Sequence, residues 1–472
     1  MEAQNQATRK EHFFYSAFYF GQNVLWGFAG LVSTYLLDIG LDAAIASVIL
    51  LVPKIWDAVN DTIFGIIVDR TRFKNGQKFL PWVKIGTAAV GIATILMFAI
   101  PASLNDPRWK IAWFVAAYIL FDAAYTILDA PMFAMPTVMT TSVGERTAFI
   151  AGNKLWSMVG AMFATVLIPL VRPRTGWFVA SIIFICFAVA FMLPFLFIGK
   201  ERFGQPEKKK EDEQAEISFR EMARYIRGNR YLFVALLVIL IMGVSSVEST
   251  LTLIMARNCL GNESLATIVS ACVAVPVIFV SAVIPAMTKR WDKYNVLIGG
   301  LTFSAAMGVV SYFVGYGSIA AAAVCVALKC VGLSFYTVIC YIFVADCVEY
   351  GTYKSGTRAA GLTFSLQCFV AKLKNAFLHS IALGALALFG YDSSLPENAV
   401  QSPEVTQGIW AVFNLLPVIG CVLSILLLVC FYKLRDKDVQ VMSLYNNGEI
   451  SREEAVEKLS ARYGLPAEKE TA

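Results

Sequence analysis

The sequence predicts an all-α membrane protein of twelve transmembrane helices in two six-helix bundles, and three observations carry that expectation. First, 58% of the 472 residues are hydrophobic and only 15% are charged, more apolar surface than a water-soluble fold can bury. Second, the apolar residues fall into twelve runs long enough to cross a bilayer, at about twenty residues each. Third, a long charged segment divides those runs six and six.

The runs cover 13–37, 43–68, 80–102, 111–138, 148–171, 176–199, 230–256, 265–287, 295–316, 318–347, 360–389 and 408–432. The even-numbered connections carry the cations: Arg70, Arg72, Lys74 and Lys78 in one, Lys289, Arg290 and Lys293 in another. The odd ones are poor in cations, and 390–407 holds only Asp392, Glu397 and Glu404. The excess of Lys and Arg on cytoplasmic loops therefore assigns both termini to the cytoplasm of a multi-pass cell-membrane protein, with a bacterial plasma membrane the expected setting. Residues 1–199 form one bundle, 200–229 a cytoplasmic middle loop, 230–432 the second bundle and 433–472 a cytoplasmic tail. In the tail, Ser451-Arg-Glu-Glu454 reads as a capping box opening a short helix.

The net charge of +5 is modest and its cations are clustered, which argues for loops beside a membrane and against nucleic acid as a partner. Ten cysteines show no paired CxxC spacing, and the two histidines lie in no metal-ligand pattern. No cofactor is expected. The halves echo each other: Gly144-Glu-Arg-Thr-Ala follows the fourth run and Gly356-Thr-Arg-Ala-Ala the tenth. Two repeated six-helix halves are a transporter architecture.

The chemistry is concentrated in polar residues inside the runs. In the second, Asp57, Asn60 and Asp61 share one stripe of a helix, because residues three and four apart lie above one another. A carboxylate at the bilayer centre costs about 2.5–3.5 kcal/mol on insertion scales, so such a group marks a functional site by default. In the fourth run, Asp122, Thr126, Asp129 and Phe133 follow helical spacing, Tyr125 flanks them, and Pro131 and Pro136 interrupt the helix. A carboxylate beside aromatic rings suits a sugar, whose hydroxyls seek charged acceptors and whose apolar faces stack on rings. A hard monovalent cation needs several oxygens, which Asp57, Asn60, Asp61 and Thr126 supply. The same carboxylates serve a proton equally well. Lys154 opens the fifth run, and the eleventh carries Gln367, Lys372, Lys374 and His379. No role is assigned to Asp122, Glu248, Lys329, Lys374 or His379.

Three motifs carry a family resemblance: Ile55-Trp-Asp-Ala-Val-Asn-Asp61, then Gly65-x-x-x-Asp69-Arg70 with Gly76 and Pro81-Trp82, and Tyr125-Thr-Ile-Leu-Asp129-Ala-Pro131. The chain resembles the glycoside–pentoside–hexuronide:cation symporters of the major facilitator superfamily, from the first run to the start of the tail. The resemblance implies a secondary transporter, not an enzyme, that imports a glycoside with a monovalent cation, Na⁺ being favoured over H⁺, and acts as a monomer. It implies that Asp57, Asn60, Asp61 and Thr126 bind the cation. It likewise implies that Tyr125, Asp129, Lys154 and Lys372 bind sugar, with Phe133 where the melibiose permeases have tryptophan and Lys154 where they have arginine. Gln22-Asn23 stands where those permeases have a Lys-Asp pair, so Asn23 takes the place of their sugar-binding aspartate. Asp69, Arg70, Arg146 and Arg358, with Lys372, are expected to couple and gate. Two other readings are a polytopic prenyltransferase-like enzyme, which the aspartates of the second run faintly suggest, and a facilitator of lipids or drugs.

Overall fold

The computed structural model describes residues 7–51, 64, 67, 71, 73, 77–101, 103–104, 106–140, 142–202, 228–356, 360–395, 399, 401–459, 463 and 465. Among them the regular structure is helical throughout and holds no strand. Two compact units emerge, one formed by Met1–Asp212, Thr250–Ala271 and Leu383–Thr406, the other by Glu213–Ser249, Cys272–Ala382 and Gln407–Ala472.

In the first unit, α1 (Arg9–Ala29) starts at a capping box in which Thr8 and Glu11 satisfy each other's backbone N–H. After a break at Gly30, α2 (Val32–Asp38) completes the first expected span. A helix runs over 43–51; the rest of the second span, with Asp57, Asn60, Asp61, Asp69 and Arg70, lies outside the described residues, as does Arg358. The next helix, α3 (Leu80–Met97), is capped from afar. The Glu201 carboxylate accepts from the backbone N–H of Lys78, Phe79 and Leu80 at 2.7, 2.9 and 2.6 Å, supplying the negative charge a helix N-terminus favours. The 33-residue α4 (Pro107–Met139) contains both Pro131 and Pro136. The fifth and sixth expected spans meet in α5 (Val143–Ile198) at Gly176, whose φ of 73° and ψ of 173° only glycine adopts easily.

Small residues let α1 and α5 approach closely. A Cβ on Gly160 would lie 2.4 Å from the Phe20 carbonyl oxygen, and one on Gly21 would lie 2.3 Å from that of Ala188. With lipid as solvent, such backbone contact replaces the hydrophobic force that packs helices in water.

The second unit begins with α6 (Arg230–Ile241). A 3₁₀ stretch, Met242–Ser246, separates it from α7 (Val247–Cys259), which passes into the first unit. Then follow α8 (Ala266–Thr288), α9 (Lys293–Val314), α10 (Ile319–Ser355), α11 (Ala360–Leu388) and α12 (Pro403–Phe431). Eight helices among the described residues are long and apolar enough to cross a membrane, and one stretch, Ala148–Ile198, has 51 residues and so length for two crossings. The tail docks on this unit through α13 (Asp436–Asn447) and α14 (Arg452–Leu459), the latter opened by Ser451 accepting from the Glu454 N–H at 3.2 Å as its capping box predicts. Asn446 donates to the Glu349 carboxylate at 2.9 Å, and Met442 and Tyr445 bury with Tyr353.

A buried ionic cluster ties the first unit together. Arg172 reaches Asp38 and Glu263 at 2.5 Å each. Arg257 reaches the same two carboxylates at 2.5 and 2.8 Å. Trp177 donates its indole N–H to Asp38 at 2.8 Å, and its ring lies under the Arg172 guanidinium. Two cations against two anions leave no net charge, which makes their burial tolerable. Arg172→Met strands a carboxylate, and loss of one partner from a buried pair costs about 3–5 kcal/mol. Its thermal unfolding midpoint is expected to fall, and Glu263→Gln added to it to restore part of the loss by returning the cluster to neutrality. A double variant no more stable than the single one would contradict this account.

Candidate functional site

The candidate site lies where α1 meets α4. Gln22 is 2% exposed, and its side-chain nitrogen donates to the Asp129 carboxylate at 2.6 Å and to the Tyr125 hydroxyl at 3.0 Å. One amide thus holds an acceptor and a phenol side by side. The other amide atom, Oε1, is buried and meets no donor among the described residues, which is unusual for a buried polar atom. One turn along α1, Trp26 lies over Tyr125 with ring centroids 4.7 Å apart, and Phe121 joins them. Trp26 is 42% exposed and puts apolar ring surface next to the polar groups. Carboxylate, phenol, amide and open aromatic face are the parts that recognise a polyhydroxylated ring.

The remaining sequence-predicted residues fall as follows. Thr126 donates its hydroxyl to the Asp122 carbonyl at 3.1 Å. Asp129 and Thr126 are both half-buried on the same face of α4. Phe133 is 57% exposed, further along that face. Asn23 donates to the Tyr19 carbonyl of its own helix at 2.9 Å, so the amide that reaches Asp129 is Gln22. Arg146 donates its Nε to the Thr140 carbonyl at 2.9 Å, at the C-terminal end of α4. Lys154 belongs to α5, and its side chain is outside the described residues. Lys372 belongs to α11 in the second unit and is exposed.

Sequence reasoning passed over three features. Gln22 and Trp26 lie four apart in α1, so a shared face was readable, but only the contact with α4 reveals which face it is. Arg172 sits within an apolar stretch, a signal as clear as that of the aspartates. Glu248 and Lys329 are partners: Lys329 is wholly buried and reaches Glu248 Oε1 at 2.8 Å. It also donates to Asn414 at 3.2 Å and to the Phe413 carbonyl at 3.1 Å.

The chain is built of helices long and apolar enough to cross a membrane, and comparison with known proteins gives its class. The chain belongs to the family described as MFS/sugar transport protein, which residues 35–436 match. A glucuronide carrier protein homolog of Escherichia coli (strain K12) is 27% identical over 413 residues, 86% of this chain and 88% of that protein. The isoprimeverose transporter of Lactiplantibacillus pentosus is 24% identical over 452 residues, 91% of this chain and 90% of that protein. Among solved structures, the nucleoside transporter NupG (D323A mutant) superimposes with a TM-score of 0.65 at 12% identity, over 88% of this chain and 99% of that one. That likeness establishes the major facilitator fold. The protein is therefore a secondary transporter and not an enzyme, and the prenyltransferase reading falls.

The two neighbouring amides of α1 give a direct test. Gln22→Ala removes a hydrogen bond to a charged group, worth about 1.5–3 kcal/mol. Glycoside affinity is expected to drop at least tenfold, while Asn23→Ala, which loses only a bond to its own helix, changes it little. Isothermal titration of both variants checks this, and equal effects would sink the assignment of Gln22.

Proposed function

We propose that this protein imports a glycoside or related sugar in symport with a monovalent cation, Na⁺ in preference to H⁺, by alternating access. The observation that carries the reading is the Gln22–Asp129–Tyr125 constellation beside the open Trp26 ring, in a chain of the sugar-transport family. Asp129 accepts sugar hydroxyls, Tyr125 and the Gln22 amide complete the polar edge, and Trp26 and Phe133 stack on the apolar face of the ring. Lys154 and Lys372 supply further donors.

The cation is bound by Asp57, Asn60 and Asp61 together with Thr126. Thr126 supports this as a half-buried hydroxyl within α4. Asp129 lies one turn beyond Thr126 on α4, close enough for occupancy of one site to be felt at the other. Lys372 neutralises the Asp57–Asp61 pair while no cation is bound and yields when one arrives. Asp69, Arg70, Arg146 and Arg358 act in gating. Residues 1–199 and 230–432 are the two moving bundles, joined by the loop 200–229, in a monomer of the cell membrane with both termini in the cytoplasm.

Coupling is tested by Asp61→Asn. This variant keeps every group of the α1–α4 site but removes an anionic ligand. Glycoside binding is expected to survive and to lose its response to Na⁺. Continued Na⁺-driven accumulation in proteoliposomes would refute the cation assignment.

Orientation is tested by cysteine labelling in a cysteine-depleted background. A cysteine at Ser393 should react with an impermeant maleimide added outside cells, and one at Gln214 should react only after lysis. The reverse pattern would invert the topology.

A further inference from the structure

Within the second unit, the start of α6 and the end of α12 lie side by side. α6 opens at Arg230 and α12 closes at Phe431. The buried rings of Tyr231 and Tyr432 meet edge to face, with centroids 5.5 Å apart, and tie the two helix ends together. Over them lies an open groove of about 900 Å³.

The walls of this groove divide by chemistry. Phe233, Val429 and Phe431 are exposed apolar side chains along the helices, both of which are long and apolar enough to cross a membrane. Arg230, Lys433 and Arg435 supply the charge. Arg230 is the first residue of α6, and the other two follow directly on α12, at the level where a crossing helix meets lipid headgroups. None of the described residues lining the groove is acidic. The N-terminus of α6 adds its own partial positive charge to the same rim.

These cations are held by aromatic groups. Arg230 donates to the Tyr231 hydroxyl at 2.9 Å, and the Arg435 guanidinium lies 3.5 Å from the centroid of the Tyr294 ring. Such contacts fix a position without cancelling a charge. Nη1 of Arg435 is buried and meets no acceptor among the described residues. The acids that follow in the chain are engaged elsewhere: Asp436 pairs with Lys293 at 3.3 Å, and Asp438 accepts from the Tyr463 hydroxyl.

We propose that this groove binds an anionic phospholipid, its phosphate between Arg230, Lys433 and Arg435 and its acyl chains along Phe233, Val429 and Phe431. Basic pockets between membrane helices are suited to such headgroups. A zwitterionic lipid offers the same phosphate but brings a cation, which three like charges repel. A free phosphate ester would satisfy the charges and leave the apolar wall uncovered. The lipid thus joins the first and last helices of the second six-span half at the point where the tail begins.

The test uses native mass spectrometry of the purified full-length protein in detergent, titrated with dioleoyl phosphatidylglycerol or dioleoyl phosphatidylcholine. The wild type is expected to bind its first phosphatidylglycerol at least tenfold more tightly than phosphatidylcholine, and excess glycerol 3-phosphate is expected not to displace it. Lys433→Gln with Arg435→Gln should weaken phosphatidylglycerol at least tenfold and leave phosphatidylcholine unchanged. Lys289→Gln with Arg290→Gln removes the same charge from the exposed turn after α8 and should leave both affinities as they are. The wild-type comparison needs no variant, so equal affinity for the two lipids would overturn the proposal even if a variant folds poorly. Equal losses in the two double variants would make the effect one of general basic charge and remove this groove as the site. Unchanged phosphatidylglycerol binding in the Lys433–Arg435 double variant would remove it as well. Displacement by glycerol 3-phosphate would make the site one for soluble phosphate esters and overturn the lipid reading.

Discussion

Charge placed among helices that face lipid must be balanced inside the protein, because no water is present to solvate it. That constraint explains the arrangement of the described interior better than any single packing contact. Arg172 and Arg257 share Asp38 and Glu263 in a neutral cluster of four. Lys329 and Glu248 form a neutral pair whose remaining donors meet Asn414 and a carbonyl. Glu201, just past the end of α5, caps the start of α3, its charge set against the helix dipole. Against this background the carboxylate of Asp129 stands out, next to an amide oxygen that meets no donor among the described residues.

The helix interruptions fall beside polar residues. Gly176 lies four residues from Arg172 and one from Trp177, so the break in α5 sits next to the ionic cluster. The 3₁₀ stretch Met242–Ser246 lies between α6 and α7, adjoining the cavity that Lys374 and Glu248 line. Pro131 and Pro136 follow Asp129 in α4, and Arg146 gathers the last carbonyls that the helix leaves open. In a membrane such breaks are tolerated where protein groups re-satisfy the backbone. Their coincidence with the polar sites means that the same side chains can serve both the backbone and a ligand.

Much of this protein was determined by sequence alone. The apolar runs, their number of residues and the cation-rich loops dictate a helical membrane protein, because the length of a crossing and the cost of a charge are properties of the bilayer and not of the fold. Asp129 and Thr126 stood out by their sugar- and cation-binding chemistry, and their shared face on α4 follows from helical periodicity. Tertiary structure decided what periodicity cannot reach, namely which helix faces which. Gln22 and Asn23 are adjacent amides with the same chemistry, yet one meets Asp129 and the other its own backbone, since neighbours on a helix point about 100° apart. Lys372 and Lys374 differ in the same way: the first is exposed, and the second lines a cavity with the 3₁₀ stretch Met242–Ser246, α7, α8 and α10. Glu248 with Lys329, and Arg172 with Asp38, are separated by about 80 to 134 residues, a distance over which no local pattern in the chain connects one charge to the other.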